Sequence, residues 1–373
     1  MIRRTVLCIV CILLALCPLA ACEKSPAEVA APAVTAAPTA IPSPTPAATP
    51  APTLAPSPAP TFTPEPTAEP TPTPVPVTDP IITLTGGERL TVDAAFTFED
   101  PGAAAQDYLG TDLTDRITVE GTVVPYLVGE YVLTYAVTDD DGRQTQVQRT
   151  VTVVPVKLPE VIDPPPKTIY LTFDDGPCYN TEILLDILKQ YDVKATFFVV
   201  GNRAQADLIR RAYEEGHSIG VHSYTHVFEE IYASEEAFFA DFWATEEVIH
   251  AQTGQYTTIF RFPGGGNNTA SWFNRGIMTR LTRIMEDMGY RYFDWNANVG
   301  DAAGNYDWSS FDYYCSIRAR IQPDDRPTVV LQHDLNGASV RALEAFIPWA
   351  LENGYSFLPL DMTSPVMHTP VNN

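Results

Sequence analysis

The stretch from Thr168 to Val199, TIYLTFDDGPCYNTEILLDILKQYDVKATFFV, limits the fold more tightly than any other part of the chain. Ile169, Tyr170, Leu171 and Phe173 form a β-compatible run that ends at Asp174 and Asp175. Gly176-Pro177 then punctuates the chain, and Ile183, Leu184, Ile187 and Leu188 recur at helical spacing. A second apolar run, Ala195 to Val200, completes a strand–helix–strand unit. Further strands are predicted at Ser218 to Gly220, Ile259 to Phe262, Tyr292 to Trp295 and Thr328 to Leu331. Helical patterns fall at Ala204 to Glu215, Ser234 to Thr253, Gly276 to Met288 and Ser339 to Asn353. Such alternation over about 200 residues is the signature of an α/β fold, a parallel (β/α) barrel or a doubly wound sheet. Neither a GxGxxG nor a Walker pattern follows the first strand, which argues against a nucleotide site.

Upstream the pattern changes. In GEYVLTYAVTDDDGRQTQVQRTVTV, residues Tyr131, Leu133, Tyr135 and Val137 share one face. An Asp-Gly turn follows, and Val147, Val151 and Val153 share the matching parity of a second strand. With short strands at Ile82 to Leu84 and Ile117 to Val119, residues 80–155 read as a small all-β sandwich. Asp139, Asp140 and Asp141 could ligate calcium, but a solvated turn is the better explanation. Residues 156–166 read as a Pro-rich hinge, 167–362 as the α/β domain and 363–373 as a tail.

Eighteen prolines lie between Pro26 and Pro80, interleaved with Ala, Thr and Ser. Such a composition cannot build a core and favours extended polyproline geometry, so residues 23–79 read as a stalk. Before it, Arg3 and Arg4, an apolar core from Val6 to Leu16, and Ala20 and Ala21 make residues 1–22 an export signal. Leu19-Ala20-Ala21-Cys22 resembles a bacterial lipobox, with Cys22 as the lipidated residue; an uncleaved anchor and ordinary cleavage are the alternatives. Every one of these readings exports the remainder, and the lipobox reading anchors it on the outer face of the bacterial cytoplasmic membrane. Only Cys178 and Cys315 are then left to pair, which an oxidising compartment permits, or to stay as free thiols. A formal charge of -23 argues against nonspecific binding to nucleic acid.

Polar groups cluster where predicted strands end. His222 and His226, in GHSIGVHSYTH, have a spacing that puts two imidazoles on one face of a helical turn, where they can hold a metal together with a carboxylate. In IFRFPGGGNN, Arg261 can orient a carboxylate, and the N–H groups of Gly264 to Gly266 can face a developing negative oxygen. Asp294-Trp295 and His333-Asp334 close two further strands. His217, His250 and His368 lack such a setting and suit surface or structural roles.

Taken in order, TFDDGP, HSxxH, RxP, DW and LxH resemble the polysaccharide deacetylases of the NodB-homology type, carbohydrate esterase family four, over roughly Thr168 to Leu360. Residues 80–155 resemble the immunoglobulin-like modules of bacterial surface proteins. The first resemblance implies a distorted (β/α) barrel, commonly of seven strands, and one divalent metal ion, usually Zn²⁺. It implies Asp175, His222 and His226 as metal ligands, Asp174 as catalytic base and Arg261 as its holder. His333 would be the general acid and Asp294 its orienting partner. Trp295 and Leu331 would line the acetyl pocket, and the Gly264 N–H would meet the oxyanion. The family often has an aromatic residue at the position of Gly264, so a ring contact must come from elsewhere. A Cys178–Cys315 disulfide would tie two loops of the site.

A tethered enzyme of this kind would meet an acetylated cell-wall glycan, first of all peptidoglycan N-acetylglucosamine. Chitin oligomers, poly-N-acetylglucosamine and acetylated xylan share the chemistry. A wall-binding protein without activity is the alternative of another class. Hydrolysis of the glycan backbone fits poorly, because adjacent Asp174 and Asp175 cannot flank a glycosidic bond. Tyr179, Tyr224, Trp272 and Trp308 are candidate sugar-stacking rings, or ordinary packing.

Overall fold

Two kinds of apolar patterning give two kinds of sheet. The structure, a computed structural model, describes residues 76–302, 307–322 and 326–373, so the expected signal and nearly all of the expected stalk lie outside the described residues.

The N-terminal strands are β1 (Ile81–Leu84), β2 (Arg89–Asp93), β3 (Ala103–Gln106), β4 (Thr118–Glu120), β5 (Gly129–Thr138) and β6 (Gln144–Val154). The alternating pattern folds as expected into the antiparallel β5–β6 hairpin, with Tyr131 opposite Val151 and Tyr135 opposite Val147. β2 and β4 flank this pair to give the sheet order β2-β6-β5-β4, while β1 and β3 form a separate antiparallel pair. Leu133, Tyr135, Val137 and Val151 are buried together with Ile82, Ala105 and Leu113, which makes a sandwich core. The turn acids are occupied by protein donors. Asp139 accepts from Arg143 Nε at 2.7 Å and from backbone N–H groups, and Asp140 pairs with Arg116 at 2.7 Å.

The second part runs β7 (Thr168–Asp174), α1 (Tyr179–Gln190), β8 (Thr196–Val200), α2 (Asp207–Glu214), β9 (Ser218–Ser223), α3 (Phe228–Ile231) and α4 (Glu235–Thr253). It continues through β10 (Ile259–Phe260), α5 (Ile277–Asp287), β11 (Arg291–Tyr292), β12 (Ala297–Asn298), α6 (Ser310–Arg320), β13 (Thr328–His333), α7 (Gly337–Glu352) and β14 (Ser356–Phe357). All strand pairs in this part are parallel, in the order β11-β10-β9-β8-β7-β13-β12, with β14 also against β7. Every residue of β7 and β8 is buried, as expected of parallel strands covered on both faces. The sheet curls into a half-barrel, and no pairing joins β11 to β12 among the described residues. Tyr170, Phe198, Phe293 and Val329 fill its interior with Trp295 against them, and the helices pack outside.

Residues 156–166, expected as a hinge, are laced to the half-barrel. Val156 N donates to Asp287 O at 2.8 Å, Pro159 O accepts from Arg291 Nη2 at 2.9 Å, and Ile162 N donates to Thr363 O at 2.8 Å. The expected tail is also part of the fold. His368 stacks on Tyr292 with ring centroids 3.7 Å apart, and Asn373 receives bonds from Thr279 and Gly276. Neither role was visible in sequence because both segments lack periodic apolar pattern.

Candidate active site

Parallel register decides which side chains meet. β13 pairs with β7 so that His333 lies opposite Asp174, both at the C-terminal ends of their strands. β9 ends beside them with His222 and Ser223. Loops at this edge of a parallel α/β sheet are where ligands and reacting groups gather.

Asp174 is 2% exposed, and its Oδ1 accepts from Arg261 Nη1 at 2.8 Å. Arg261 is itself fully buried, and its remaining donors go to Thr172 Oγ1 at 2.7 Å, Phe293 O at 2.7 Å and Asp294 O at 3.1 Å. Its guanidinium lies over the Phe198 ring, 4.3 Å from the centroid. A rigid donor fork thereby fixes one carboxylate oxygen. Burial raises the Asp174 carboxyl above its ordinary range, and the charges of Arg261 and His333 offset this only in part.

Asp175 and His226 both hold left-handed backbone, with φ of 74° and 58°, which costs a residue with a Cβ about 1–2 kcal/mol. Strain of this kind persists where neighbours impose it. Here it turns the two side chains toward each other: Asp175 Oδ1 lies 3.2 Å from His226 Nε2 and 3.6 Å from His222 Nε2. These three groups offer ligand atoms within 4.8 Å of one another. Asp175 Oδ1 is buried without a hydrogen bond, a costly state for a carboxylate unless something else takes its lone pairs. His222 Nδ1 lies 2.8 Å from Arg261 O, which fixes the proton on Nδ1 and leaves the Nε2 lone pair free to bind. Burial lowers the His222 pKa to about 3, so the ring stays neutral. The donor set fits a divalent cation. The His222–His226 spacing does not come from a helix, as the sequence suggested. His222 belongs to β9 and His226 to the turn after it.

His333 corrects the sequence reading in another way. Its Nδ1 lies 2.8 Å from Asp301 Oδ1, and its backbone N–H donates to Asp301 Oδ2 at 2.9 Å. Asp294, the expected partner, is spent elsewhere: its carboxylate accepts from Gly266 N at 2.8 Å and Thr369 N at 2.8 Å. It ties the glycine loop to the C-terminal segment. Burial alone would lower the His333 pKa. The hydrogen bond to Asp301 and the charges of Asp174, Asp301 and Asp175 outweigh burial and push it up to about 9.

Gly264 and Gly265 have φ of 76° and 83°, and a Cβ on Gly265 would lie 2.9 Å from Trp295 Cη2. Of the three glycine N–H groups, Gly265 donates to Phe262 O and Gly266 to Asp294, both at 2.8 Å. Among the described residues no acceptor takes the Gly264 N–H. Leu331 is buried on the same side of β13 as His333, two residues down the strand. Cys178 and Cys315 are both free. Of the two sequence readings, a disulfide or free thiols, the second describes the structure: Cys178 Sγ is turned onto the start of α1 and Asp334 O, at 3.4 Å, while Cys315 is exposed on α6.

Comparison with known proteins places this geometry. A family model described as polysaccharide deacetylase matches residues 162–293, and one described as bacterial surface protein, Ig-like domain, matches residues 82–153. A putative polysaccharide deacetylase of Bacillus subtilis, YheN, is 32% identical over 209 residues, 54% of this chain and 70% of that protein. The chain belongs to the polysaccharide deacetylase family. A peptidoglycan-N-acetylglucosamine deacetylase of Bacillus cereus is 32% identical over 55% of this chain and 72% of its own length. The solved catalytic domain of a peptidoglycan N-acetylglucosamine deacetylase from Eubacterium rectale is 42% identical, covers 58% of this chain and 98% of that one, and superposes with a TM-score of 0.56.

Two features of this deacetylase escaped sequence reasoning, and a third, Asp334, stood there without a role. Asp301 lies seven residues after Asp294; its only signal is an acid three residues past the short β12 strand. Thr172 Oγ1 shares Arg261 with Asp174 from the preceding inward position of β7. Asp334 is fully buried beneath the loop that bears Asp175, bonded to Thr181 Oγ1, and a Cβ at Gly176 would overlap its carboxylate. Of the candidate stacking rings, Tyr179 and Trp272 are exposed and Trp308 borders on exposure.

Proposed function

We propose that this polysaccharide deacetylase is a metal-dependent hydrolase that removes acetyl groups from the N-acetylglucosamine of peptidoglycan. The observation that carries the reading is the gathering of Asp174, Asp175, His222, His226 and His333 at one end of one sheet. Asp175, His222 and His226 would hold the cation, Zn²⁺ being the usual ion for such a donor set. When bound, it would supply Lewis acidity toward the amide carbonyl and acidify the attacking water.

The remaining work belongs to the chain. Asp174, its carboxyl raised by burial, takes a proton from water as general base while Arg261 keeps it from turning away. The Gly264 N–H donates to the oxygen that becomes negative. His333, protonated at neutral pH, gives its Nε2 proton to the departing amine, and Asp301 holds the Nδ1–H tautomer. Leu331 and Trp295 border the space for the acetyl methyl.

The peptidoglycan assignment is supported by the names of the relatives above and by the surface-protein module upstream. A lipidated Cys22 and a Pro-rich stalk would place the enzyme outside the cytoplasmic membrane, where that polymer lies; among the described residues no helix is long and apolar enough to cross a membrane. The residue ranges given for signal, stalk and the two folded parts belong to the same proposal.

The test is acetate release from purified peptidoglycan strands, chitin oligomers and acetylated xylan, with the same protein stripped by a chelator and reloaded with Zn²⁺. Peptidoglycan should give the highest kcat/KM, stripping should abolish release and reloading should restore it. Full activity after stripping would remove the metal from the mechanism. New reducing ends without acetate would replace deacetylation with chain cleavage.

A further inference from the structure

Asp241 belongs to none of the strand-end motifs, yet its carboxylate accepts four hydrogen bonds from the turn that separates His222 from His226. Oδ1 takes Ser223 Oγ and Tyr224 N, each at 2.7 Å, and Oδ2 takes Thr225 N at 2.8 Å and Thr225 Oγ1 at 2.9 Å. Ser223 Oγ in turn accepts from His226 N at 2.9 Å. Each residue between the two imidazoles is therefore tied to one carboxylate, and His226 is tied to it through Ser223. This turn needs an external hold, because His226 sits in left-handed backbone and the two rings must stay 5.2 Å apart to face the same ligand.

The carboxylate rides on α4, and the helix is gripped from another side. Phe239, Phe242 and Trp243 meet Phe96 of the N-terminal sandwich at centroid distances of 5.6, 6.1 and 5.0 Å, and Tyr126 meets Phe239 at 4.7 Å. At 100° per residue, Asp241 points well away from Phe239 and Trp243, toward the strand ends. Phe238, stacked on Tyr232 and in tilted contact with Phe262, pins the same helix to the half-barrel. The sandwich thus packs behind the helix that presents Asp241 to the turn.

We propose that Asp241 is a positioning residue that sets the separation of His222 and His226 for a divalent cation, and that the N-terminal sandwich steadies it through the aromatic face of α4. The inference rests on reading Asp175, His222 and His226 as cation ligands. Removing a group that orients metal ligands weakens binding by about 10–100-fold.

The full chain would be titrated with Zn²⁺ in competition with a chromophoric chelator, as wild type, Asp241→Ala, Asp241→Asn and Phe96→Ala, with thermal unfolding of the stripped proteins alongside. Asp241→Ala should raise the Zn²⁺ Kd about 10–100-fold. Asp241→Asn, which keeps the acceptor for Ser223 and Tyr224, should fall between it and wild type. Phe96→Ala, remote from the ligands, should raise Kd about threefold. A purely structural role would lower Tm and leave Kd unchanged. Wild-type affinity in Asp241→Ala, or in Asp241→Asn if the alanine variant does not fold, overturns the positioning role. Wild-type affinity in Phe96→Ala overturns the part given to the sandwich. A wild-type chain that binds no Zn²⁺ overturns the ligand reading itself, a distinct result, and the inference with it.

Discussion

Among the described residues two arginines are fully buried, Arg149 in the N-terminal sandwich and Arg261 in the half-barrel, and their surroundings differ in one respect. Arg149 donates to Tyr135 Oη at 2.9 Å, Gly102 O at 3.0 Å, Gly87 O at 3.2 Å, and to Asp100 and Thr85 O. That network closes on itself. Arg261 is equally well satisfied, but the group it holds, Asp174, faces a neighbourhood with capacity to spare. Asp175 Oδ1 is buried without a hydrogen bond, and Gly264 N–H has no acceptor among the described residues. Burying a guanidinium costs several kcal/mol before its partners repay it. In the sandwich the return is local order; in the half-barrel it is a carboxylate held still beside the cluster of Asp175, His222 and His226.

The comparison breaks most sharply at Asp174. Asp174→Asn keeps an acceptor for Arg261 and removes the proposed base, so kcat for acetate release should fall about 10³-fold while Tm stays near wild type. A loss of less than tenfold would mean that Arg261 holds Asp174 for structural reasons alone, as Arg149 holds Asp100. Arg149→Met should do the reverse. It strands Asp100 and three backbone carbonyls, costing about 3–5 kcal/mol of stability. Below the unfolding transition, kcat should be unchanged. The measurements are thermal unfolding and acetate release on the same samples.

How legible each network was in sequence follows from how local its signals are. The β5–β6 hairpin could be read from alternation and an Asp-Gly turn, because its register is set within one stretch of chain. Asp174, Asp175, His222, Arg261 and His333 could be read because each stands at or next to the end of an apolar run, and a parallel sheet gathers such ends. β3, with the sequence AAAQ, was missed since alanine carries little strand preference. Arg149 is one polar residue in an alternating strand, and its partners lie 14 to 64 residues away, so no local pattern marks it as buried. Asp241 sits inside α4, at the end of no apolar run, so nothing local singles it out. The hydrogen-bond partner of His333 is not Asp294, the acid that a neighbouring tryptophan makes conspicuous, but Asp301, which follows a strand, β12, only two residues long.

That pairing leads to the finest test, which separates two buried aspartates of the half-barrel by what they hold. Asp301 faces His333, whose pKa stands at about 9, with the Asp301 hydrogen bond the foremost of the causes that raise it. In the proposed role of general acid His333 must carry its proton, so activity should hold through neutral pH and fall as pH rises through that value. Asp301→Asn removes the bond to a carboxylate and one negative charge, both of which favour the protonated ring. The alkaline limb of kcat/KM should move to lower pH, and activity at the optimum should fall about 10²-fold. Asp294→Asn should leave the alkaline limb where it is, because its carboxylate bonds to Gly266 and Thr369 and not to the imidazole. Its cost should appear as about 1–3 kcal/mol of stability, the penalty for weakening buried hydrogen bonds to a charged group. If Asp294→Asn moved the limb and Asp301→Asn did not, the proton donor would be oriented by the acid beside the tryptophan, and the pairing of His333 with Asp301 would be a structural contact of the kind that Arg149 makes.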